Sequence, residues 1–160
     1  TPDGPFLWLR EKRATAKLIS ISEQNATIEV DIPKNPVLPS GATHRRDLSV
    51  IGSKIEVTEE VSSKASFELA THLIVDHSYS HIEGAEEGSI CLENASGTRV
   101  TVTFDASQIA QTIETVETSP TYGELERSTR ITLTNKHKST QQSLIYTLDY
   151  HHKPEKASTL

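Results

Sequence analysis

Arg99-Val100-Thr101-Val102-Thr103-Phe104 is the stretch of this 160-residue chain that decides the fold. Apolar and polar residues alternate through it, so Val100, Val102 and Phe104 would share one face of a β-strand. Such a strand buries one face in a core and turns the other toward water. The stretch therefore indicates a β-sheet with a single buried side.

The same period-two alternation recurs along the chain, and no window carries a sustained helical pattern of apolar residues. About eleven short strands separated by turn residues predict an all-β antiparallel sandwich. We place one domain over residues 1–150 and a flexible tail over 151–160. The expected strands are Phe6–Arg10, Ala16–Ser22, Ala26–Ile32, Thr43–Ile51, Lys54–Val61, Ser66–Val75, Ser89–Glu93, Thr98–Phe104, Thr112–Glu117, Thr129–Asn135 and Ser143–Tyr150.

The core of this sandwich is expected to be built from the inward-facing apolar residues of four strands. Each set repeats with period two, as half-buried strands require. The expected core residues are Val100, Val102, Phe104, Ile28, Val30, Ile32, Ile131, Leu133, Leu144, Tyr146, Leu148 and Tyr150.

One hairpin can be predicted at the level of single residues. Gly52-Ser53 separates two alternating runs, and glycine at the first central position suits a type II′ turn. This turn fixes the register, so Arg46 should face Glu59 on the apolar side and Arg45 should lie on the outer side. An unpaired charge on the apolar side would cost about 3–5 kcal/mol, so Arg46 and Glu59 are expected to form an ion pair.

Charge and composition exclude several classes of partner. Lys and Arg number 16 against 22 Asp and Glu, and the net charge of −6 opposes attraction to nucleic acid or to an anionic membrane. An acidic sugar chain would have to be bound through a local basic patch. No apolar stretch reaches the ~18 residues of a membrane span. The single cysteine, Cys91, lies in an apolar run and is expected to pack in the core.

Known catalytic and cofactor motifs are absent. There is no Gly-x-Ser-x-Gly and no glycine-rich phosphate loop, so we assign no catalytic residue and no cofactor. The densest group of metal-ligating residues is His72, Asp76, His77 and His81. Strand alternation would point these side chains in different directions, so we predict no metal site.

Two polar and aromatic features remain as candidates for substrate contact. One is His44, which precedes Arg45 and Arg46, and the other is Tyr122 within Ser119-Pro120-Thr121-Tyr122-Gly123. For the second segment, a turn whose tyrosine ring packs on the core is favoured over substrate contact.

The order and spacing of four segments carry a resemblance to a known family. They are Thr43–Leu48, Lys54–Val61, Phe67–Leu73 and Ser119–Gly123. Together they resemble the C-terminal β region of heparinase II/III-like polysaccharide lyases, over roughly residues 5–150. One departure is Glu59, where the family commonly has Asp.

The resemblance implies a parent enzyme that cleaves uronic-acid-containing polysaccharide by β-elimination. The family's catalytic tyrosine and asparagine come from a helical toroid domain and its histidine from an earlier β segment, and none of those positions matches this sequence. The implied role is a β-sandwich that supports the helical catalytic domain of the same chain. His44, Arg45 and Tyr122 would line the cleft for the acidic polysaccharide, and the location would be periplasmic or secreted.

A free-standing carbohydrate-binding or adhesion sandwich is the alternative. Sugar-binding surfaces expose aromatic platforms, and this chain has one Trp, four Tyr and three Phe, several of them expected in the core. Composition thus favours the lyase domain. The full reading frame separates the two, since only the lyase requires a long helical region upstream.

Overall fold

The computed structural model describes residues 15–34, 39–119 and 123–152, and these ranges contain eleven antiparallel β-strands and no helix. The strands are β1 (Thr15–Ile21), β2 (Asn25–Ile32), β3 (Ala42–Ile51), β4 (Lys54–Phe67), β5 (Ala70–Val75), β6 (Tyr79–Ile82), β7 (Ser89–Asn94), β8 (Arg99–Phe104), β9 (Ile109–Thr118), β10 (Glu126–Asn135) and β11 (Ser139–His151). No helix long and apolar enough to cross a membrane occurs in these ranges. The prediction of an all-β antiparallel sandwich is confirmed.

Two sheets of unequal width face each other. The larger has the order β1-β2-β3-β4-β11-β8-β7-β6, and the smaller has the order β5-β10-β9. Apolar side chains from both sheets form one buried cluster between them, as layered packing requires. Its members are Val57, Ile90, Leu92, Val102, Phe104, Ile109, Ile131, Leu133, Leu144 and Tyr146.

The hairpin of β3 and β4 has the register that its turn predicts. Gly52 has φ of 60°, as a type II′ turn needs at its first central position, and no described non-glycine residue has positive φ. Arg46 therefore faces Glu59 and Arg45 faces Glu60. This register puts Glu59 on the inner face of the larger sheet, which we define as the face that carries the buried cluster.

The expected strand Ser66–Val75 is wrong, because the chain changes sheets within it. β4 ends at Phe67 and β5 begins at Ala70 in the smaller sheet. Alternation continues through this corner, so periodicity gives no sign of the change. The sequence also gave no indication of β6, and the expected strand Phe6–Arg10 lies outside the described residues.

Several expected core residues are not in the core. Ile28, Val30 and Ile32 are only half-buried and Tyr150 is exposed, because three strands cannot cover the inner face of eight. Cys91 is also only half-buried, since its neighbours Ile90 and Leu92 take the inward positions of β7. At the C-terminal end, β11 includes His151, and residues 153–160 lie outside the described ranges.

Candidate functional site

The most highly organised polar cluster lies on the inner face of the β3–β4 hairpin and centres on Glu59. The Glu59 side chain is 2 % exposed, and its Oε1 accepts a hydrogen bond from Arg46 Nε at 2.8 Å and lies 2.6 Å from Arg46 Nη2 in an ion pair. His44 Nε2 lies 2.5 Å from Glu59 Oε2. Both carboxylate oxygens are thus occupied, and the ion pair expected from the register is present.

Tyr146 of β11 connects this cluster to the core. Burial, and then the charge of Glu59, raise the pKa of its phenol above the ordinary value. The hydrogen bonds to Glu59 raise the pKa of the Arg46 guanidinium. The carboxylate therefore stabilises the charged guanidinium and, together with burial, disfavours ionisation of the phenol.

Arg45 belongs to a different cluster on the opposite face of the sheet. Its Nε donates to Asp47 Oδ2 at 2.9 Å, and Thr27 donates to the other oxygen, Asp47 Oδ1, at 2.5 Å. The hydrogen bonds from Arg45 and Thr27 lower the pKa of Asp47 below its ordinary value. Successive residues of a strand point to opposite faces, so His44 and Arg45 cannot line one wall together.

The three substrate-contact candidates are therefore not brought into one site. His44 is tied to Glu59 on the inner face and Arg45 to Asp47 on the outer face. Tyr122 lies outside the described residues. Contact of any of the three with a substrate stays a prediction.

The histidine-rich segment around β5 and β6 also does not converge. His72 Nδ1 is 2.9 Å from Thr132 Oγ1, whereas His77 Nδ1 is 2.8 Å from Glu126 Oε2. Within the described ranges, no group of three His, Cys, Asp or Glu side chains is placed to hold a metal ion.

Sequence reasoning missed a wide groove at the end of the larger sheet where β2, β3, β4 and β11 meet. Its volume is about 890 Å³, and hydroxyl groups, an amide, two lysines and one carboxylate contribute to its lining. The turn-rich stretch before β3 and the run Ser62-Ser63-Lys64 were the available signals. Neither signal indicates a groove without the tertiary structure.

The inner-face cluster has limited chemical capacity by itself. Glu59 fixes the His44 ring through Nε2, which leaves Nδ1 for other contacts on a side chain that is 27 % exposed. Arg46 offers a guanidinium that is 44 % exposed. These groups could orient or bind an acidic ligand, but proton abstraction with leaving-group protonation needs a further acid in the same place.

The geometry defines a class of protein, a two-sheet antiparallel sandwich domain with one sheet much wider than the other. Solved polysaccharide lyases contain this fold. Heparan sulfate lyase HepC from Pedobacter heparinus superposes with a TM-score of 0.68 at 13 % identity, over 90 % of this chain and 22 % of that one. A heparinase III gene product gives a TM-score of 0.65 at 17 % identity, again over 90 % of this chain and 22 % of its own.

A further structure, described as heparinase III, has a TM-score of 0.60 at 13 % identity and matches 84 % of this chain. The resemblance to heparinase-type lyases is thus confirmed at the level of the fold. This chain spans only about a fifth of the length of those lyases. No family model and no curated protein sequence matches it.

Proposed function

We propose that this chain is the β-sandwich domain of a heparinase II/III-like polysaccharide lyase, in which it supports the catalytic part. The observation that carries the proposal is the pattern of coverage. Nine-tenths of this chain matches the HepC fold, and that match takes up 22 % of the HepC chain. A domain of this kind is therefore a small part of each lyase, and catalysis there can reside elsewhere in the chain.

An uncovered apolar surface supports the same proposal. The inner face of β1–β3 continues the core beyond the smaller sheet, and Leu18, Ile21 and Val50 on it are exposed. Contiguous apolar patches on a folded domain mark surfaces that pack against another part of a protein. A supporting domain has such a surface, whereas a free-standing binding module would leave it in water.

The described residues do not assemble a β-elimination site. That reaction needs a base for the C5 proton, a donor for the leaving oxygen and a group that neutralises the uronate carboxylate, all held in one cleft. His44 and Arg46 are both bound to Glu59, and the phenol of Tyr146 is buried beside them. We therefore expect the isolated chain to lack lyase activity.

The test compares the 160-residue chain with the longest reading frame that contains it. Both are assayed on a panel of acidic polysaccharides by the ultraviolet absorbance of the 4,5-unsaturated uronate product. We expect turnover from the longer chain and none from the isolated domain. Turnover by the domain alone, or none by the longer chain on any acidic substrate, would overturn the proposal.

A matched pair of variants tests the supporting role in the longer chain. Leu18→Lys places a charge on the uncovered inner face, whereas Ile145→Lys places one at an exposed position of the opposite face. We expect Leu18→Lys to lower the thermal stability and activity of the longer chain, and Ile145→Lys to change both much less. In the isolated domain both variants should fold. Equal effects in the longer chain would argue against docking through this face.

The proposal also includes a periplasmic or secreted location and an acidic polysaccharide as the parent's substrate. Fractionation of cells that express the full reading frame tests the location. The alternative, a free-standing carbohydrate-binding or adhesion module, would be favoured by a reading frame that contains only a secretion signal and this domain.

A further inference from the structure

The groove at the end of the larger sheet has the size and lining of a site for an extended polar ligand. Its volume of about 890 Å³ lies within the range of small-molecule sites. A second depression of about 480 Å³ shares Thr43, Ser62 and Gln141 with it, but Glu29 and Glu60 line that depression beside Arg45. The excess of basic side chains is therefore confined to the larger groove, where Lys34 and Lys64 outnumber Asp31.

A large bulge in β4 builds one wall of this groove. Gln141 of β11 pairs with Ser62, but Ser139 pairs with Phe67, so residues 63–66 of β4 lie opposite Thr140 alone. Bulges re-aim side chains and occur frequently next to functional sites. Here the bulge turns Ser63 and Lys64 toward the groove.

Hydrogen bonds hold this bulge against the loop between β2 and β3. Ser63 Oγ donates to Gly41 O at 2.7 Å and lies 2.8 Å from Ser40 Oγ. Gly41 has φ of +69°, and a Cβ there would come within 2.7 Å of Ile32 O. The groove is therefore shaped by a close approach that only glycine permits.

The charged groups of the groove leave two ammonium ions for a ligand. Lys34 and Lys64 line it, and neither forms an ion pair within the described part of the chain. One carboxylate, Asp31, also lines the groove, and it accepts a hydrogen bond from Thr43 at 3.4 Å. In a chain of net charge −6, this is the kind of local basic patch that an acidic sugar chain requires.

We propose that the Lys34–Lys64 groove binds an acidic oligosaccharide, with its hydroxyls and Gln141 contacting sugar hydroxyls and the two lysines contacting carboxylate or sulfate groups. Hydroxyl and amide side chains can both donate and accept hydrogen bonds, as a saccharide requires. The site goes beyond the proposed function, because a supporting domain needs no ligand of its own. It is also separate from the Glu59 cluster, which lies on the inner face.

The test titrates the 160-residue chain with a heparin-derived octasaccharide, an oligogalacturonate and a neutral cello-oligosaccharide, followed by calorimetry and amide NMR shifts. The first ligand carries sulfates and carboxylates and the second carries carboxylates only, so their comparison shows whether sulfate is needed, and the third is the uncharged control. We expect saturable binding of at least one acidic ligand, with shifts concentrated at residues 62–64 and 140–141. Binding should weaken with added salt because the contacts are exposed.

Charge-neutral variants identify the site. Lys34→Gln and Lys64→Gln should each weaken binding by about five-fold, the effect of one exposed charge pair. Lys54→Gln removes the same charge at the opposite end of β4 and should leave the affinity unchanged. Circular dichroism and unfolding curves establish that every variant is folded.

Three results would overturn the site: no saturable binding of either acidic ligand, equal binding of the neutral one, or equal weakening by Lys54→Gln. The outcome is independent of the lyase assay. Lyase activity in the longer chain together with no binding in the groove would contradict the proposed binding site but not the proposed lyase. Groove binding without lyase activity in the longer chain counts against the proposed lyase alone.

Discussion

Replacing Arg46 with methionine tests how much the buried Glu59 carboxylate depends on its partner. The variant keeps most of the apolar stem but removes the hydrogen bond and the ion pair to Oε1, so Glu59 stays buried with His44 beside its other oxygen. Removing one member of a buried ion pair costs about 3–5 kcal/mol. Because the His44 contact remains, we expect a loss near the lower limit, about 3 kcal/mol in the free energy of unfolding.

The reverse replacement should cost less. Glu59→Gln leaves the Arg46 guanidinium without its carboxylate, but that side chain is 44 % exposed and water can solvate it. The loss should then be about 1–2 kcal/mol, the value of weakened hydrogen bonds rather than of an orphaned buried charge. The order of the two effects follows from which partner is buried.

The chain supplies a matched control for this experiment. Arg130 lies directly opposite Glu114 in the β9–β10 pair and donates to its Oε1 at 3.0 and 2.8 Å. Its exposure, 37 %, is similar to that of Arg46, but the Glu114 carboxylate is 48 % exposed. Arg130→Met should therefore cost less than about 1 kcal/mol.

The assay is urea unfolding at neutral pH, followed by circular dichroism, on the wild type and all three variants. A loss for Arg46→Met no greater than that for Arg130→Met would refute the argument that carboxylate burial sets the cost. If Glu59→Gln lowers the free energy of unfolding more than Arg46→Met does, then Arg46, and not Glu59, is the group whose unpaired charge is costly.

Three further predictions concern backbone strain, acid stability and metal. Gly84→Ala forces alanine into positive φ and should cost about 1 kcal/mol. Gly88→Ala carries the same backbone cost and should lose clearly more in total, because its Cβ would also meet a backbone oxygen at 2.6 Å. Equal losses in urea unfolding would contradict this. Asp47 has a lowered pKa through its bond to Arg45, so its stabilisation is present above the unfolded pKa of about 4 and is lost as pH falls through the folded pKa. In the Asp47→Asn variant, the free energy of unfolding should therefore fall less steeply as the pH is lowered than it does in the wild type. An equally steep fall in both proteins would contradict this prediction. Excess chelator should leave the unfolding midpoint unchanged, whereas a large fall would reveal a structural metal.

The sequence was sufficient wherever a structural feature depends on neighbouring residues. Alternation identified Val102, Phe104, Ile131 and Leu144 as inward-facing, and all four are buried. The Gly52-Ser53 turn fixed the register of one hairpin because two-residue turns leave no freedom in the pairing that follows. These features require no knowledge of which sheets pack together.

The sequence was insufficient where burial depends on the width of the opposing sheet. Ile28 and Val30 show the same alternation as the buried residues, yet they lie beyond the edge of the three-stranded sheet and are half-buried. Period two tells which way a side chain points, and it does not tell what lies in front of it. The corner between Phe67 and Ala70 also escaped prediction, because alternation continues through it while the chain passes from the larger sheet to the smaller one.

The candidate sites show the same division between local and long-range information. Alternation alone places His44 and Arg45 on opposite faces of the sheet. The contact of His44 with Glu59 is less local, because His44 pairs directly with Val61 and reaches Glu59 diagonally across the two strands. The groove depends on pairings still more remote in sequence. Its bulge exists because Ser139 pairs with Phe67 while Gln141 pairs with Ser62, and no pattern within β4 signals that mismatch. Ser63 and Lys64, which this mismatch places at the groove, can therefore be identified as candidate ligand contacts only once the pairing of β4 with β11 is known.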